Sequence, residues 1–410
     1  MATRFAYLSQ GKLYLKSDDE PPVLYDSTFV EGMRDRAAQL FRRNSWKSGG
    51  TEGRMISRSA LWGADARDPA LFRVQFNAIA PRGERDGFLY SITSPEISGV
   101  LARKEDTAAE LRLLHTADFR VQQIASQPGT GRLAMSVKHH ACTVLATMNG
   151  DGGGLVEVTQ GDSFDESPSW VPGRESEILF QSAGVAHNEQ GAEVGLSPYA
   201  LRVLNLETLK MTSLLEDPKR DLLSPKLAED GSLLFIRRPY TLAHTPRSFW
   251  RVIEDILLFP YRLLYAFFQF LNLFTMMYTG KPLAHSGPFA KKPADQAQMV
   301  IWGNLVEARK SFFGDDGKKQ GLVPASWELC RKKPDGEVEV FARSVLSFDL
   351  ESDGGILYSN GAAIFRLSPQ GEKEQIHKAP MIQQVVALPP SPSPSTSASL
   401  VNEGFTPANL

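Results

Sequence analysis

His139, His140 and Cys142 form the one cluster of ligand-type side chains in the chain, and imidazole nitrogen with thiolate sulfur would suit a soft divalent ion. Strand alternation would send the two adjacent histidines to opposite faces, so only His140 and Cys142 could share one. A metal needs three or four ligands and no neighbour completes the set, so a structural role is the expectation. Asp151 in Gly150-Asp-Gly-Gly-Gly154 could sit in a cation or phosphate nest, yet the tip of a hairpin accounts for the same residues. Asp162, Asp165 and Glu166 bunch three carboxylates. There is no GxxxxGKS/T, GxSxG, HExxH or helix-leading GxGxxG, so nucleotide, serine-hydrolase, zincin and dinucleotide chemistries lack an anchor. No catalytic residue, metal ligand or cofactor is therefore assigned.

Composition bounds what could position these residues. The chain has 410 residues, 42% hydrophobic and 22% charged, ordinary globular usage that argues against wholesale disorder and against a multi-span membrane protein. A formal net charge of -2 supplies no basic field for phosphate backbones, so nucleic acid is not an expected partner. Only Cys142 and Cys330 occur, with no CxxC spacing, which excludes a disulfide scaffold and fits a reducing compartment. The first ten residues carry no apolar stretch behind Arg4, so no signal peptide is argued and a cytoplasmic location is expected.

Self-comparison is more informative. Phe-Ala-Tyr-Leu-Ser-Gln-Gly-Lys-Leu-Tyr-Leu-Lys, from Phe5, aligns with Gly-Ile-Leu-Tyr-Ser-Asn-Gly-Ala-Ala-Ile-Phe-Arg, from Gly355. Both are apolar strand, polar-Gly turn and second strand, with Gly11 and Gly361 where a hairpin demands positive φ. A preceding hairpin reads Asp165-Glu-Ser-Pro-Ser-Trp-Val-Pro-Gly173, then Glu177-Ile-Leu-Phe-Gln-Ser182. Weaker cognates begin at Asn77, Ile124, Leu223 and Leu346. Between them fall further hairpins over residues 110–124, 141–159, 199–215, 327–341 and 362–376, several marked by Asn-Gly or Asp-Gly.

The 165–173 stretch resembles the PD40 repeat of TolB-like (WD40-like) β-propellers, whose pattern runs roughly Pro-x-Trp-Ser-Pro-Asp-Gly before an apolar strand. Pro168, Trp170, Pro172 and Gly173 match; Val171 replaces the Ser, and the Asp is missing. The resemblance covers about three quarters of the chain and implies an all-β fold, a six-bladed propeller of short antiparallel strands. It also implies that Asp162, Asp165 and Glu166 are turn chemistry in the loop entering a first strand and that Trp170 packs between blades rather than stacking on a ligand. Residues 382–388 are left without a partner. They are expected beside residues 5–8, closing the ring with N- and C-terminal strands and removing an exposed edge.

The expected organisation is a propeller over residues 1–388, with a helical insertion at 27–66 and a hydrophobic helical insertion at 240–297, then a disordered Pro/Ser-rich tail at 389–410. Residues 28–44 place Phe29, Met33, Ala37, Leu40 and Phe41 at helical spacing among Arg34, Arg36, Arg42 and Arg43, an amphipathic helix that could cap one end of the ring. Residues 249–278 are greasier. Their uncharged run, 263–280, is only marginally long for a membrane span and contains Gln269, Asn272 and Thr275, with Pro260 and Arg262 upstream. At helical spacing Phe249, Trp250, Ile253, Leu257, Leu264, Phe267, Phe268, Leu271 and Phe274 make a broad apolar face that must lie in a lipid interface, dock in a partner or fold back onto the ring.

The expected function is a non-catalytic scaffold that binds a protein partner, membrane-associated through that insertion. The alternative is a propeller-type enzyme, a hydrolase or lyase acting on a saccharide or peptide in the axial channel. Three or more His, Asp, Glu or Arg side chains converging at the channel mouth from different blades would favour the enzyme.

Overall fold

The protein was analysed as a computed structural model that describes residues 4–17, 20–44, 74–82, 87–94, 97–104, 109–140, 142–187, 193–240, 298–301, 304–307 and 321–389. The segment with the candidate attachment residues Phe249 to Phe274 lies outside them, as does the 390–410 tail. Among the described residues there is one helix, and it is not long and apolar enough to cross a membrane.

Short apolar runs punctuated by Gly and polar turns give strands. The first are β1 (Arg4–Ser9), β2 (Lys12–Ser17) and β3 (Val23–Leu24), followed by the helix α1 (Thr28–Asn44) at the bounds its periodicity predicts. Ser27 caps that helix: its Oγ accepts the Val30 N–H at 3.2 Å. A second group is β4 (Gln75–Pro81), β5 (Phe88–Thr93), β6 (Ser98–Arg103) and β7 (Glu110–Thr116), paired in that order.

A third group, β8 (Arg120–Ser126), β9 (Leu133–Lys138), β10 (Thr143–Met148) and β11 (Val156–Glu157), joins a fourth through one parallel pairing, Thr143 with Phe164. The fourth is β12 (Ser163–Trp170) and β13 (Glu177–His187), with β15 (Ala200–Asn205) and β16 (Lys210–Leu215) following β14 (Glu193–Leu196). A fifth runs β17 (Arg220–Leu227), β18 (Leu233–Pro239), β21 (Glu328–Lys332) and β22 (Val338–Arg343); the hairpin of β19 (Gln298–Ile301) and β20 (Asn304–Glu307) intervenes in sequence. That hairpin belongs to a second compact unit, residues 186–196 and 240–320. The sixth group is β23 (Ser347–Leu350), β24 (Ile356–Ser359), β25 (Ala363–Leu367) and β26 (Lys373–Lys378). Last, β27 (Ile382–Ala387) pairs antiparallel with β1, Tyr7 opposite Val385, as the unpartnered C-terminal run predicts.

One expectation is corrected. Residues 110–124 are not a hairpin: β7 pairs with β6 and β8 with β9, in separate sheets. The turn between them has hairpin chemistry, the Asp118 N–H donating to Thr116 Oγ1 at 3.1 Å, but Ser98 Oγ takes the Val121 N–H at 3.0 Å and turns β8 away.

The first strands of the groups form a chain of contacts: β27 packs on β4, β4 on β8, β8 on β12, β12 on β17, and β23 on β27. Apolar clusters fill these junctions. Ala78 and Val100 pack with Val121 and Met135 between the second and third groups, and Leu179 and Leu201 with Leu222 and Phe235 between the fourth and fifth. Central strands such as β5, β9 and β10 are buried almost throughout because both faces are covered; outer strands such as β16, β22 and β26 are largely exposed.

Candidate functional site

The inner strands carry polar side chains that bond to the backbone of the next group. Gln384 on β27 brackets Ile79 on β4, accepting its N–H and donating to its carbonyl, both at 3.1 Å. Gln123 on β8 accepts the Ser167 N–H at 2.5 Å, and Gln181 on β13 accepts the Ser224 N–H at 2.7 Å. Ser167 and Ser224 both have left-handed φ, 52° and 51°, and each precedes a proline at a shift in strand register. A glutamine oxygen thus holds the amide of an unfavourable bulge in the following group, and Pro168 and Pro225, lacking an N–H, sit where the ladder is interrupted. The Ser-Pro pairs are visible in the sequence; the partner glutamines are not, because they lie more than forty residues upstream.

The richest arrangement lies where the fourth and fifth groups meet. Glu166 on β12 is part-buried, and its Oε2 accepts from the Tyr199 hydroxyl and the Gln181 amide, each at 3.2 Å. Burial pushes its carboxyl up, ahead of the two hydrogen bonds and the Lys138 and Arg238 charges that pull it down. Tyr199 is likewise pushed up by burial and then by Glu166. Beside them Arg238 Nε donates to Asp221 at 2.8 Å, the side chains only 3% and 6% exposed, and the guanidinium stacks 4.8 Å over Trp327. Asp221 also accepts the Tyr199 N–H at 3.1 Å. Chemically, this is a carboxyl held toward its protonated form beside a buried ion pair, supplied by β12, β17 and β18.

The residues singled out from sequence fall as follows. His139 bonds Glu157 at 2.9 Å and packs edge-on to Phe119, His140 is exposed, and Cys142 is part-buried with a thiol pushed up by burial. Among the described residues no three His, Cys, Asp or Glu side chains come together as a metal requires. Asp151 accepts the Gly153 N–H at 2.9 Å, hairpin-tip chemistry. Asp165 and Glu166 correct the turn reading, since both lie inside β12; Asp165 is buried and accepts from Ser182 at 2.7 Å. Trp170 packs against the third group as expected, its indole N–H donating to the Ala125 carbonyl at 3.2 Å.

A cleft of about 720 Å³ opens between the fifth and sixth groups, walled by the turns after β17 and β23, by β22 and by the end of β25. Lys226 and Asp349 form an ion pair that ties β17 to β23 across the same junction.

No family model matches this sequence, and no curated protein matches it. The chain has similarities to solved structures, each at low sequence identity. It is similar to TolB from Acinetobacter baumannii, at 9% identity over 94% of this chain and 66% of that one, TM-score 0.48. It is also similar to a chain of the nidogen/laminin complex, at 6% identity over 94% and 98%, TM-score 0.49, and to a protein from Lactobacillus plantarum, at 10% identity over 95% and 100%, TM-score 0.44.

Proposed function

We propose that the six groups are the blades of one closed propeller, and that this ring is a non-catalytic scaffold for a protein partner, held at a membrane surface by the apolar segment 249–278. One observation carries the reading. Polar groups of the inner strands, Gln123, Gln181, Gln384 and Asp349 among them, are committed to blade-to-blade hydrogen bonds, whereas outer strands leave Met211, Leu214 and Val338 exposed. A ring fastened inside and apolar at its rim suits binding to its outside better than chemistry on its axis.

Closure is tested by ending the chain at Met381. Without β27, Ile79 loses Gln384 and β1 becomes an open edge, so the thermal transition should collapse; an unchanged melting temperature would defeat the closed ring. Ending it after Pro390 should leave stability unchanged. The scaffold reading is tested by co-purifying the tagged protein from its native cell, separating membrane and soluble fractions, with and without residues 247–292 replaced by a Gly-Ser bridge. A folded ring that leaves the membrane fraction and loses its partner supports the proposal. A full chain that is monomeric and soluble without detergent counts against it.

One observation favours the enzyme reading, the raised Glu166 carboxyl beside Tyr199 and Arg238. It requires turnover of a saccharide or peptide substrate that disappears in Glu166→Gln.

A further inference from the structure

We infer that the cleft between the fifth and sixth blades, with the free edge of β22, docks an extended peptide in which apolar and basic residues alternate. The inference rests on the scaffold reading and names its partner's chemistry.

Three observations converge there. First, β22 is the outermost strand of its sheet: β21 pairs one edge, and no described strand pairs the other. Its outward N–H and C=O groups offer a ladder to one more strand, and of the prolines and charged side chains that ordinarily blunt such an edge β22 carries only Glu339 and Arg343. Second, the edge is apolar where it faces out. Val338 and Val340 are 42% and 38% exposed, and Val340 continues into the cleft with Phe341, Ile356 and Leu367. Third, the cleft is acidic. Asp230 pairs with Arg331, and Glu351 with Arg366 at 2.6 Å, but Glu229 and Glu339 line it with no ion-pair partner among the described residues.

The edge sequence dictates the ligand's pattern. In an added strand, residues directly opposite Val338 and Val340 share their face and should be apolar; the residue opposite Glu339 lies on the other face and should be a cation. An acidic peptide would place like charge against Glu339 and Glu229 and be rejected. By contrast, the outer strand β16 exposes Met211 and Leu214 but carries Lys210 in place of a carboxylate.

The test uses the full chain and a short fluorescent peptide alternating valine and lysine, with its valine–glutamate counterpart as control, read by anisotropy at low and physiological salt. The basic peptide should bind, weaken with salt, and slow amide exchange across residues 338–341. Charge reversal in Glu229→Lys/Glu339→Lys, at exposed positions, should weaken it by about tenfold or more and admit the acidic peptide. Val340→Lys, which keeps both carboxylates but removes the apolar anchor, should weaken it as well. Equal binding of both peptides to the unaltered chain, unchanged binding by the charge-reversed variant, or no exchange protection on β22 would each overturn the inference. The charge-reversed variant is then taken through the native-cell co-purification. Loss of the partner supports the cleft, whereas retention overturns the cleft and leaves the scaffold reading standing.

Discussion

The second strand group and the seam between the fourth and fifth each place a glutamate against a tyrosine hydroxyl, yet the two carboxyls move in opposite directions. Glu110 begins β7 and accepts from the Tyr90 hydroxyl at 2.8 Å, the Thr28 hydroxyl at 2.8 Å, the Phe29 N–H at 3.0 Å and Ser27 at 3.2 Å, with Tyr25 closer still. Burial raises it, but those donors together outweigh burial and leave it below the ordinary glutamate range. It also faces the first turn of α1, where the helix dipole favours a negative charge. Glu166 has only Tyr199 and Gln181, so there burial wins. The number of donors set against the depth of burial, not the mere presence of a tyrosine, decides whether a carboxylate in this fold fastens an element as an anion or is held toward its neutral form. Glu110 fastens a helix, while Glu166 sits beside the buried Arg238–Asp221 pair.

The largest effect expected at either place comes from Arg238→Leu. It strips the cation from a pair almost fully removed from water and leaves Asp221 with the Tyr199 N–H alone. An orphaned buried charge of this kind costs about 3–5 kcal/mol, so urea unfolding should shift to markedly lower denaturant. A loss under about 1 kcal/mol would mean that water reaches the seam and that the pair is no structural element.

Glu110→Gln comes next, at about 1–3 kcal/mol for a carboxylate that loses its charge against several donors. The pH dependence gives it a signature. A carboxyl held low in the folded state contributes stability above its unfolded value, about 4.3, and that contribution is lost as pH falls through the lower folded value. The deficit of the variant should therefore be full at neutral pH and close in acid. Hydrogen exchange should localise the loss to the first turns of α1. A deficit that stays constant from neutral pH into acid would show that shape, not charge, holds the helix.

Much of the fold is legible in the sequence because its signals are local. Asn-Gly, Asp-Gly and Pro-Asp-Gly turns mark hairpins, the 3.6-residue period of residues 28–44 marks α1, and residues 382–388 read as a strand in want of a partner. Reading fails where a local signal serves a non-local purpose. The Thr116–Asp118 turn looks like a hairpin but links two sheets, since β8 pairs with β9 and packs on β4 and β5, with Ser98 taking the Val121 N–H. Ser167-Pro168 looks like the end of a turn but is a bulge inside β12, held by a glutamine from the preceding strand group. The Glu166 site is the extreme case: Tyr199, Asp221 and Arg238 share no spacing with Glu166; the β12–β13–β15 pairing brings in Tyr199, and the stacking of β12 on β17 brings in Asp221 and Arg238.

Glu166→Gln is the smallest change and divides the two regions most sharply, because its sign should oppose that of Glu110→Gln. A carboxyl raised by burial keeps its proton in the folded chain at a pH where the unfolded chain has lost it. The folded state then binds more protons than the unfolded state, and stability falls as pH rises through the folded value. Glutamine does not titrate, and its carbonyl oxygen can accept from both Tyr199 and Gln181 in place of Oε2. The variant should unfold within about 1 kcal/mol of the unaltered protein. Its stability relative to that protein should climb as pH rises, measured by urea titration in steps from acid to mildly alkaline buffer. If it falls instead, as expected for Glu110→Gln, then Glu166 is an anion in the folded chain. The Lys138 and Arg238 charges would then outweigh burial, and the seam between the fourth and fifth strand groups would be fastened in the same way as the helix on the second.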